Sequence, residues 1–283
     1  MRSVVMTFRL CAVHLRKEFS NPKIYIVAIL SLLLVLALVQ PVVDFARVYD
    51  EQVTPYAAVF IFSDFFGTFT SMLMILGMVA ICAECPSKDT LTMYSLIRSG
   101  RRIWLGSQIL YIAIISMCYV FYWLAISLIP LLGNIEWSGD WGRVWNTLAY
   151  TTAGDAINLK LDVPSSLISN YTALEALIYS ITLKCVVCCF VGLVVVTGNL
   201  LMGPGAGVYI GILVALEDIF AYNGGYGYWF TWLSPATMSR LTVLDNSRTF
   251  LFPSVSEALA VLLCLSICMV CLAVVRGSKK VYM

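Results

Sequence analysis

Six stretches of mainly apolar residues, separated by shorter or more polar segments, dominate the chain. A helix that crosses the hydrocarbon core of a bilayer needs about 20 such residues. The six stretches cover residues 24–43, 56–82, 103–132, 173–196, 207–221 and 255–275. A run at 203–207 that contains Gly and Pro separates the fourth stretch from the fifth, because these residues interrupt helices. The pattern predicts an all-α membrane protein with six transmembrane helices.

The composition supports this assignment, since 60% of the residues are apolar and only 12% are charged. Typical soluble domains are about 45–50% apolar and about 25% charged. So few charges cannot cover the surface of a soluble protein of 283 residues, which excludes a water-soluble enzyme and a nucleic-acid-binding protein. No linker or internal repeat interrupts the pattern, so residues 1–283 are expected to form a single transmembrane domain.

The distribution of basic residues predicts the orientation of the spans. Twelve Lys and Arg residues flank the spans on one side, and five lie in the longer loops on the other side. Because cytosolic loops are enriched in Lys and Arg, both termini are expected in the cytosol. We expect a multi-pass protein of the cell membrane, in a bacterium. The external segments, among them the long segment 133–172, then hold five tryptophans, and most of these are expected in interfacial aromatic belts: Trp137, Trp141, Trp145, Trp229 and Trp232.

The residues that usually carry cofactor chemistry are few or unsuitably placed. His14 is the single histidine, so a multi-histidine zinc or haem site is excluded. The ten cysteines lie in spans or in predicted cytosolic segments, which excludes extracellular disulfides. Cys185 and Cys188 form a CxxC pattern inside a span, where packing is favoured over metal binding. We expect no cofactor, no metal and no catalytic residue.

Residues 1–22 have the pattern of a basic amphipathic helix. At about 100° per residue, apolar side chains gather on one face and arginines recur every seven positions on another. The apolar face holds Val4, Phe8, Cys11, Ala12, Leu15 and Phe19, and the basic positions are Arg2, Arg9 and Arg16. Asn21-Pro22 ends this helix before the first span. We expect the helix to lie in the inner-leaflet interface, with Arg9 and Arg16 at the lipid headgroups.

A second cytosolic segment, residues 84–107, joins the second span to the third. Pro86, Ser87 and Asp89 favour a helix start, because acidic residues stabilise a helix N-terminus. The apolar positions that follow are Leu91, Met93, Tyr94, Leu96 and Ile97, and Ser99-Gly100 end the helix. A solvated loop does not need this much apolar surface, so the short helix is expected to bind a cytosolic protein. A loop lying at the membrane interface is the alternative.

Two of these segments resemble ABC-2 type transporter permeases. Residues 16–23 resemble the end of the amphipathic elbow helix of that family, and residues 88–106 resemble its loop between the second and third spans. The matching positions in the loop are Thr90-Leu91, Leu96-Ile97, Arg101-Arg102 and Gly106. Asp89 replaces the usual Gly, and Ser99-Gly100 replace the usual turn proline. Leu233-Ser234-Pro235, before the sixth span, also resembles a family feature.

The resemblance implies a permease subunit of an ABC exporter, working as a dimer with an identical or related permease chain. The chain has no GxxxxGK[ST] motif, so ATP hydrolysis would come from separate cytosolic P-loop ATPase subunits. The ATPase-coupling residues would be Asp89, Thr90, Leu91, Tyr94, Leu96 and Arg98, with Arg101 and Arg102 facing lipid. An apolar path favours a hydrophobic or amphipathic substrate, such as a peptide, a lipid-like molecule or a drug. An ATP-independent carrier or channel, built of two three-helix halves, is the alternative function.

Four charged residues inside the predicted spans need a separate explanation. A charge at mid-membrane costs about 2.5–3.5 kcal/mol on insertion scales, so such residues are candidates for function. Asp64 and Lys184 are expected at similar depth, where they would form an ion pair, meet water that enters from outside, or contact substrate. Glu217 and Asp218, near the outer end of the fifth span, are expected to face an external vestibule.

Overall fold

The computed structural model describes residues 2–64, 69–86, 90–223, 228–245 and 252–277. Within these ranges thirteen α-helices account for nearly all regular structure. They are α1 (Arg2–Phe19), α2 (Pro22–Val48), α3 (Ala57–Ser63), α4 (Thr70–Cys82), α5 (Thr90–Ser99), α6 (Arg101–Leu128), α7 (Gly142–Tyr150), α8 (Ala153–Ala156), α9 (Ser165–Asn170), α10 (Ala173–Leu201), α11 (Ala206–Asn223), α12 (Pro235–Met238) and α13 (Val255–Leu272). The all-helical class expected from the sequence is confirmed.

Four of the helices are long and apolar enough to cross a membrane. They cover Pro22–Val48, Arg101–Leu131, Ala173–Leu201 and Val255–Arg276. Each corresponds to a span expected from the hydrophobic pattern, with ends that differ by about five residues or fewer. The central one is α10, which is 72% buried over its most apolar window, whereas α13 is only 17% buried. These helices indicate a multi-pass membrane protein in which α10 forms the core.

The second predicted span is not a continuous helix. α3 ends at Ser63, Asp64 has an extended backbone with ψ of 127°, and α4 starts after Phe69, whose φ is 54°. The Asp64 carboxylate explains part of this break, because it accepts hydrogen bonds from the Thr70 hydroxyl (3.0 Å) and the Thr70 N–H (3.4 Å). A carboxylate at a helix N-terminus stabilises that helix start. The predicted span over 56–82 therefore consists of two helices, α3 and α4, with a break that begins at Asp64.

The α10–α11 pair is joined by a very close backbone contact. A Cβ atom on Gly207 would lie 1.9 Å from the Val195 carbonyl oxygen, and one on Gly198 would lie 2.5 Å from the Gly207 Cα. No other residue type fits at these positions without separating the helices, because real Cβ contacts are never this short. The turn between the helices contains Gly203 and Gly205, both with positive φ, which favours glycine. The two helices therefore pack as one rigid hairpin.

The N-terminal helix α1 packs against α6. His14 and Gln108 are hydrogen-bonded through their side-chain nitrogens at 2.9 Å. Val4 and Phe8 are exposed, as expected for side chains that face lipid, whereas Cys11 is buried although the pattern placed it on the same face. The Asn21 side chain accepts a hydrogen bond from the Lys23 N–H and so caps the start of α2.

The 133–172 segment covers α3 through aromatic side chains. Trp145 Nε1 donates to the Thr54 carbonyl (3.1 Å), and the Thr54 hydroxyl donates to the Trp141 carbonyl (2.7 Å). The Phe60 ring packs on both indoles, with ring centroids 5.4 Å from Trp141 and 4.7 Å from Trp145. Both tryptophans are buried, so these two do not lie in an interfacial belt. Their amphipathic rings pack inside the protein instead.

Candidate functional site: a buried polar cluster

Four charged side chains lie almost completely buried inside the helical bundle. Asp64 sits at the break between α3 and α4, Lys184 on α10, Asp218 on α11, and Arg240 just after α12. Their residue exposures are 1%, 0%, 0% and 4%. We call these four residues, with the hydroxyl groups of Ser71, Thr237 and Ser239, the buried polar cluster. Removing charges from water costs several kcal/mol per ion, so such a group calls for a functional explanation.

Arg240 and Asp218 form the ion pair of this cluster. Arg240 Nη2 lies 2.7 Å from Asp218 Oδ1, and the Thr237 hydroxyl donates to the same carboxylate oxygen at 2.9 Å. Ser234 caps the short helix α12 by accepting the Thr237 N–H at 3.3 Å. The Leu233-Ser234-Pro235 motif thus forms a turn that directs α12 and Arg240 into the bundle. Asp218 does not face an open vestibule as predicted, because Arg240 covers it, and Glu217 is half-buried on the same helix.

Lys184 is held by hydroxyl groups, without a carboxylate partner among the described residues. Its ammonium donates to Ser71 Oγ at 2.5 Å and to Ser239 Oγ at 2.9 Å. The ion pair between Asp64 and Lys184 that the sequence suggested is therefore not formed. The reason is geometric, since Asp64 turns toward Thr70 at the N-terminus of α4. Lys184 instead joins α10 to α4 and to the turn after α12.

Asp64 connects the cluster to the 133–172 segment. The backbone N–H of Asp162 donates to Asp64 Oδ1 at 3.4 Å. Burial raises the pKa of the Asp162 carboxyl, the nearby Asp64 raises it further, and Arg240 lowers it. Asp162 also lines a pocket of about 290 Å³, together with Asp155 and Lys160. Asp162 therefore contacts both this pocket and, through its N–H, Asp64 of the buried polar cluster.

The contacts of the cluster join helices and stabilise buried charge. Among the described residues, no group of three His, Cys, Asp or Glu side chains is placed to hold a metal ion. Four elements meet here through polar contacts: α4, α10, α11 and the turn after α12. Comparisons with protein-family models, curated proteins and solved structures find no match to this chain. The contacts themselves, together with the motif resemblance, are what support a function.

The second candidate site is the short helix α5. Tyr94 and Ile97 are exposed by 63% and 82%, and Arg98 is exposed beside them. Leu96 is instead buried against Trp104 of α6. Leu96 is therefore not exposed for contact with another protein, in contrast to what the sequence suggested, whereas Ile97 is exposed.

The other predicted coupling residues are only partly described. Asp89 lies outside the described residues. Thr90 and Leu91 lie in α5, but their side chains fall outside the described part of the chain. At the start of α6, Arg101 is partly buried and Arg102 is exposed.

The chain that leads into α5 is held on two sides. On one side, Lys23 pairs with Glu84, Asn21 donates to Glu84 at 3.3 Å, and the hydrogen bond from Lys23 lowers the pKa of the Glu84 carboxyl. On the other side, the Asn199 amide donates to the carbonyls of Ala83 (3.2 Å) and Cys85 (2.8 Å). Asn199 was not predicted from the sequence. Its only signal there is an amide side chain close to the end of a long, mainly apolar helix.

Proposed function

We propose that the chain is the transmembrane permease subunit of an ABC transporter, an exporter driven by separate cytosolic ATPase subunits. In this proposal the chain works as a dimer with an identical or related permease. Its substrate is hydrophobic or amphipathic, such as a peptide, a lipid-like molecule or a drug. The six crossings are α2, the α3–α4 pair, α6, α10, α11 and α13. The amphipathic helix α1, with Arg9 and Arg16 exposed, would be the elbow helix at the inner leaflet.

The exposed apolar surface of α5 is the observation that carries this proposal. Tyr94 and Ile97 are three residues apart and so share one helix face. Both are largely exposed on a helix of ten residues, next to the exposed Arg98. The basic residues around α5 assign this end to the cytosol. A few apolar anchors of this kind carry most of the energy of a protein interface, which fits an ATPase contact.

The test is to replace both anchors with charged residues. The Tyr94→Asp/Ile97→Asp variant should insert at normal abundance, because both side chains are exposed. It should lose co-purification of a P-loop protein, identified by mass spectrometry, and lose the ATP hydrolysis that accompanies the unsubstituted chain. The matched control is Tyr94→Phe/Ile97→Val, which keeps the apolar surface and should retain both. If the Asp variant retains partner and hydrolysis, α5 is not the ATPase contact.

One observation favours the ATP-independent carrier as a second candidate. Secondary transporters bind substrates and ions where broken helices end near the bilayer midplane. The α3–α4 break at Asp64 has this form, and it lies in the buried polar cluster. The discriminating measurement is uptake into vesicles that contain the chain alone. Transport driven by an ion gradient without ATP would support the carrier, and strict dependence on ATP and a partner would support the permease.

A further inference from the structure

We infer that Asn199 is the positioning residue that connects the cytosolic segment before α5 to the buried polar cluster. This inference rests on the proposed function, because it assigns a route for motion that begins at the ATPase contact. No motif marks Asn199, and its role follows from its contacts alone. Asn199 is 8% exposed and lies two residues before the end of α10, between Gly198 and Leu200.

The side-chain amide of Asn199 joins three elements at once. Its nitrogen donates to the Ala83 carbonyl (3.2 Å) and the Cys85 carbonyl (2.8 Å), just after α4 ends. Its oxygen accepts the Gly207 N–H at 3.0 Å, in the first turn of α11. One amide group therefore satisfies polar groups at the end of α4 and the start of α11 while belonging to α10. Loss of this amide would leave several buried backbone groups without partners, which is costly.

The rigid α10–α11 hairpin extends this contact to the cluster. Lys184 lies 15 residues before Asn199 on α10, about 22 Å along the helix axis. Asp218 lies 11 residues after Gly207 on α11, about 16 Å along that helix. Because the hairpin is closely packed at Gly198 and Gly207, a displacement at its cytosolic end moves both charged residues together.

Helices α4 and α10 are also connected at the buried polar cluster. Lys184 donates to Ser71, in the first turn of α4. Asn199 binds the chain directly after the last turn of α4. Helices α4 and α10 are therefore joined by polar contacts at both ends. A shift of the segment before α5 must either break the Asn199 contacts or change the contacts of Lys184 with Ser71.

The segment before α5 is held less strongly by Lys23 of α2 than by Asn199 of α10. Lys23 and Glu84 have side-chain exposures of 40% and 60%, and exposed ion pairs are worth little because water screens them. The Asn199 contacts with Cys85 and Gly207 are buried, and the one with Ala83 is partly buried, so water screens them less. Motion at α5 is therefore passed to α10 and α11 through Asn199 more effectively than to α2 through Glu84.

Hydrogen exchange in the assembled complex tests the inference without knowledge of the substrate. The complex is the full chain with the ATPase that co-purifies with it, measured with and without ATP. The Asn199→Asp variant keeps an acceptor for the Gly207 N–H but has no donor for the two carbonyls. The control is Thr197→Val on the same helix, since Thr197 is equally buried and its hydroxyl has no hydrogen-bond partner among the described residues. Asn199→Ser serves as a neutral second variant if the Asp variant folds poorly.

ATP should change the exchange of the peptide around Lys184 in the unsubstituted complex and in Thr197→Val. In the Asn199 variants the ATPase should still bind and hydrolyse ATP, but the ATP-dependent change should fall by about fivefold or more, the lower range of typical coupling factors. A purely structural role would instead lower partner binding and hydrolysis together. A full ATP-dependent change in a folded Asn199 variant would overturn the inference alone. No ATP-dependent change in the unsubstituted complex would count against the proposed function as well.

Discussion

Breaking the buried Arg240–Asp218 ion pair should destabilise the protein far more than breaking an exposed one. The two atoms in contact are 2.7 Å apart, and the side chains are 4% and 0% exposed. At this distance the gross attraction is about 6 kcal/mol for an effective dielectric constant of about 20. Desolvation cancels much of it while the pair is intact. Removal of one partner leaves the other charge buried, and the expected loss in unfolding free energy is about 3–5 kcal/mol.

The two single substitutions should not cost the same. Arg240→Met leaves the Asp218 carboxylate without its cation, so it should reach the upper end of this range. Asp218→Asn keeps an acceptor for the Thr237 hydroxyl, and Arg240 still lies in the field of Asp64 and Asp162. Its cost should therefore lie near the lower end.

The assay is reversible unfolding in lipid bicelles, followed by tryptophan fluorescence, for both single variants and the double variant. The double variant should cost less than the sum of the two, because it removes both charges of the pair. The control is Arg143–Glu51, whose atoms are 3.0 Å apart but whose side chains are 84% and 38% exposed. Breaking that pair should cost less than about 1 kcal/mol. Additive losses at Arg240 and Asp218, or losses as small as the control, would refute the reasoning.

Three further outcomes are expected. Asp64→Asn and Lys184→Met should change the free energy of unfolding additively, within about 0.5 kcal/mol, because Lys184 binds hydroxyl groups. A larger coupling energy in the double-mutant cycle would indicate an ion pair between Asp64 and Lys184. Gly207→Ala should lower the unfolding free energy by about 3 kcal/mol or more, whereas Gly106→Ala, whose Cβ would come no closer than 3.7 Å to another atom, should be tolerated. The pKa of the Asp162 carboxyl is raised in the folded protein, so at a pH between the unfolded and the folded pKa this carboxyl is protonated when folded and ionised when unfolded. The free energy of unfolding therefore falls as the pH rises through that interval. Asp162→Asn should therefore raise the melting temperature at pH 7 and leave it nearly unchanged below about pH 4, and an equal shift at both pH values would contradict this assignment.

The sequence predicts the long helices well because their signals are local. A run of apolar residues fixes α2, α6, α10 and α13, and the Asn21-Pro22 pair marks where α1 gives way to α2. These features depend on residues that are near neighbours in the chain. The same holds for the amphipathic pattern of α1, apart from Cys11, whose burial depends on α6.

The polar contacts were less predictable because their partners are far apart in sequence. Lys184 is 113 residues from Ser71 and 55 from Ser239. The residues near Lys184 in the chain therefore give no sign that its ammonium binds hydroxyl groups and not a carboxylate. Asp64 stands out in the sequence as a charge inside an apolar span, but its effect on helix geometry depends on Thr70. Leu96 was correctly seen as an apolar helix residue, yet its burial depends on Trp104 of the next helix.

The broken helix also constrains how the protein is made. At 1.5 Å per residue, α3 is about 10 Å long and α4 about 20 Å, and neither alone crosses a hydrocarbon core of about 30 Å. In the proposed topology, Trp141 and Trp145, which hold α3, reach the outer surface only after α6 has crossed. Residues 56–82 must therefore enter the membrane because the stretch is apolar as a whole, before α3 has packed against Trp141 and Trp145. During biosynthesis the break at Asp64 is completed late, when the 133–172 segment folds over α3.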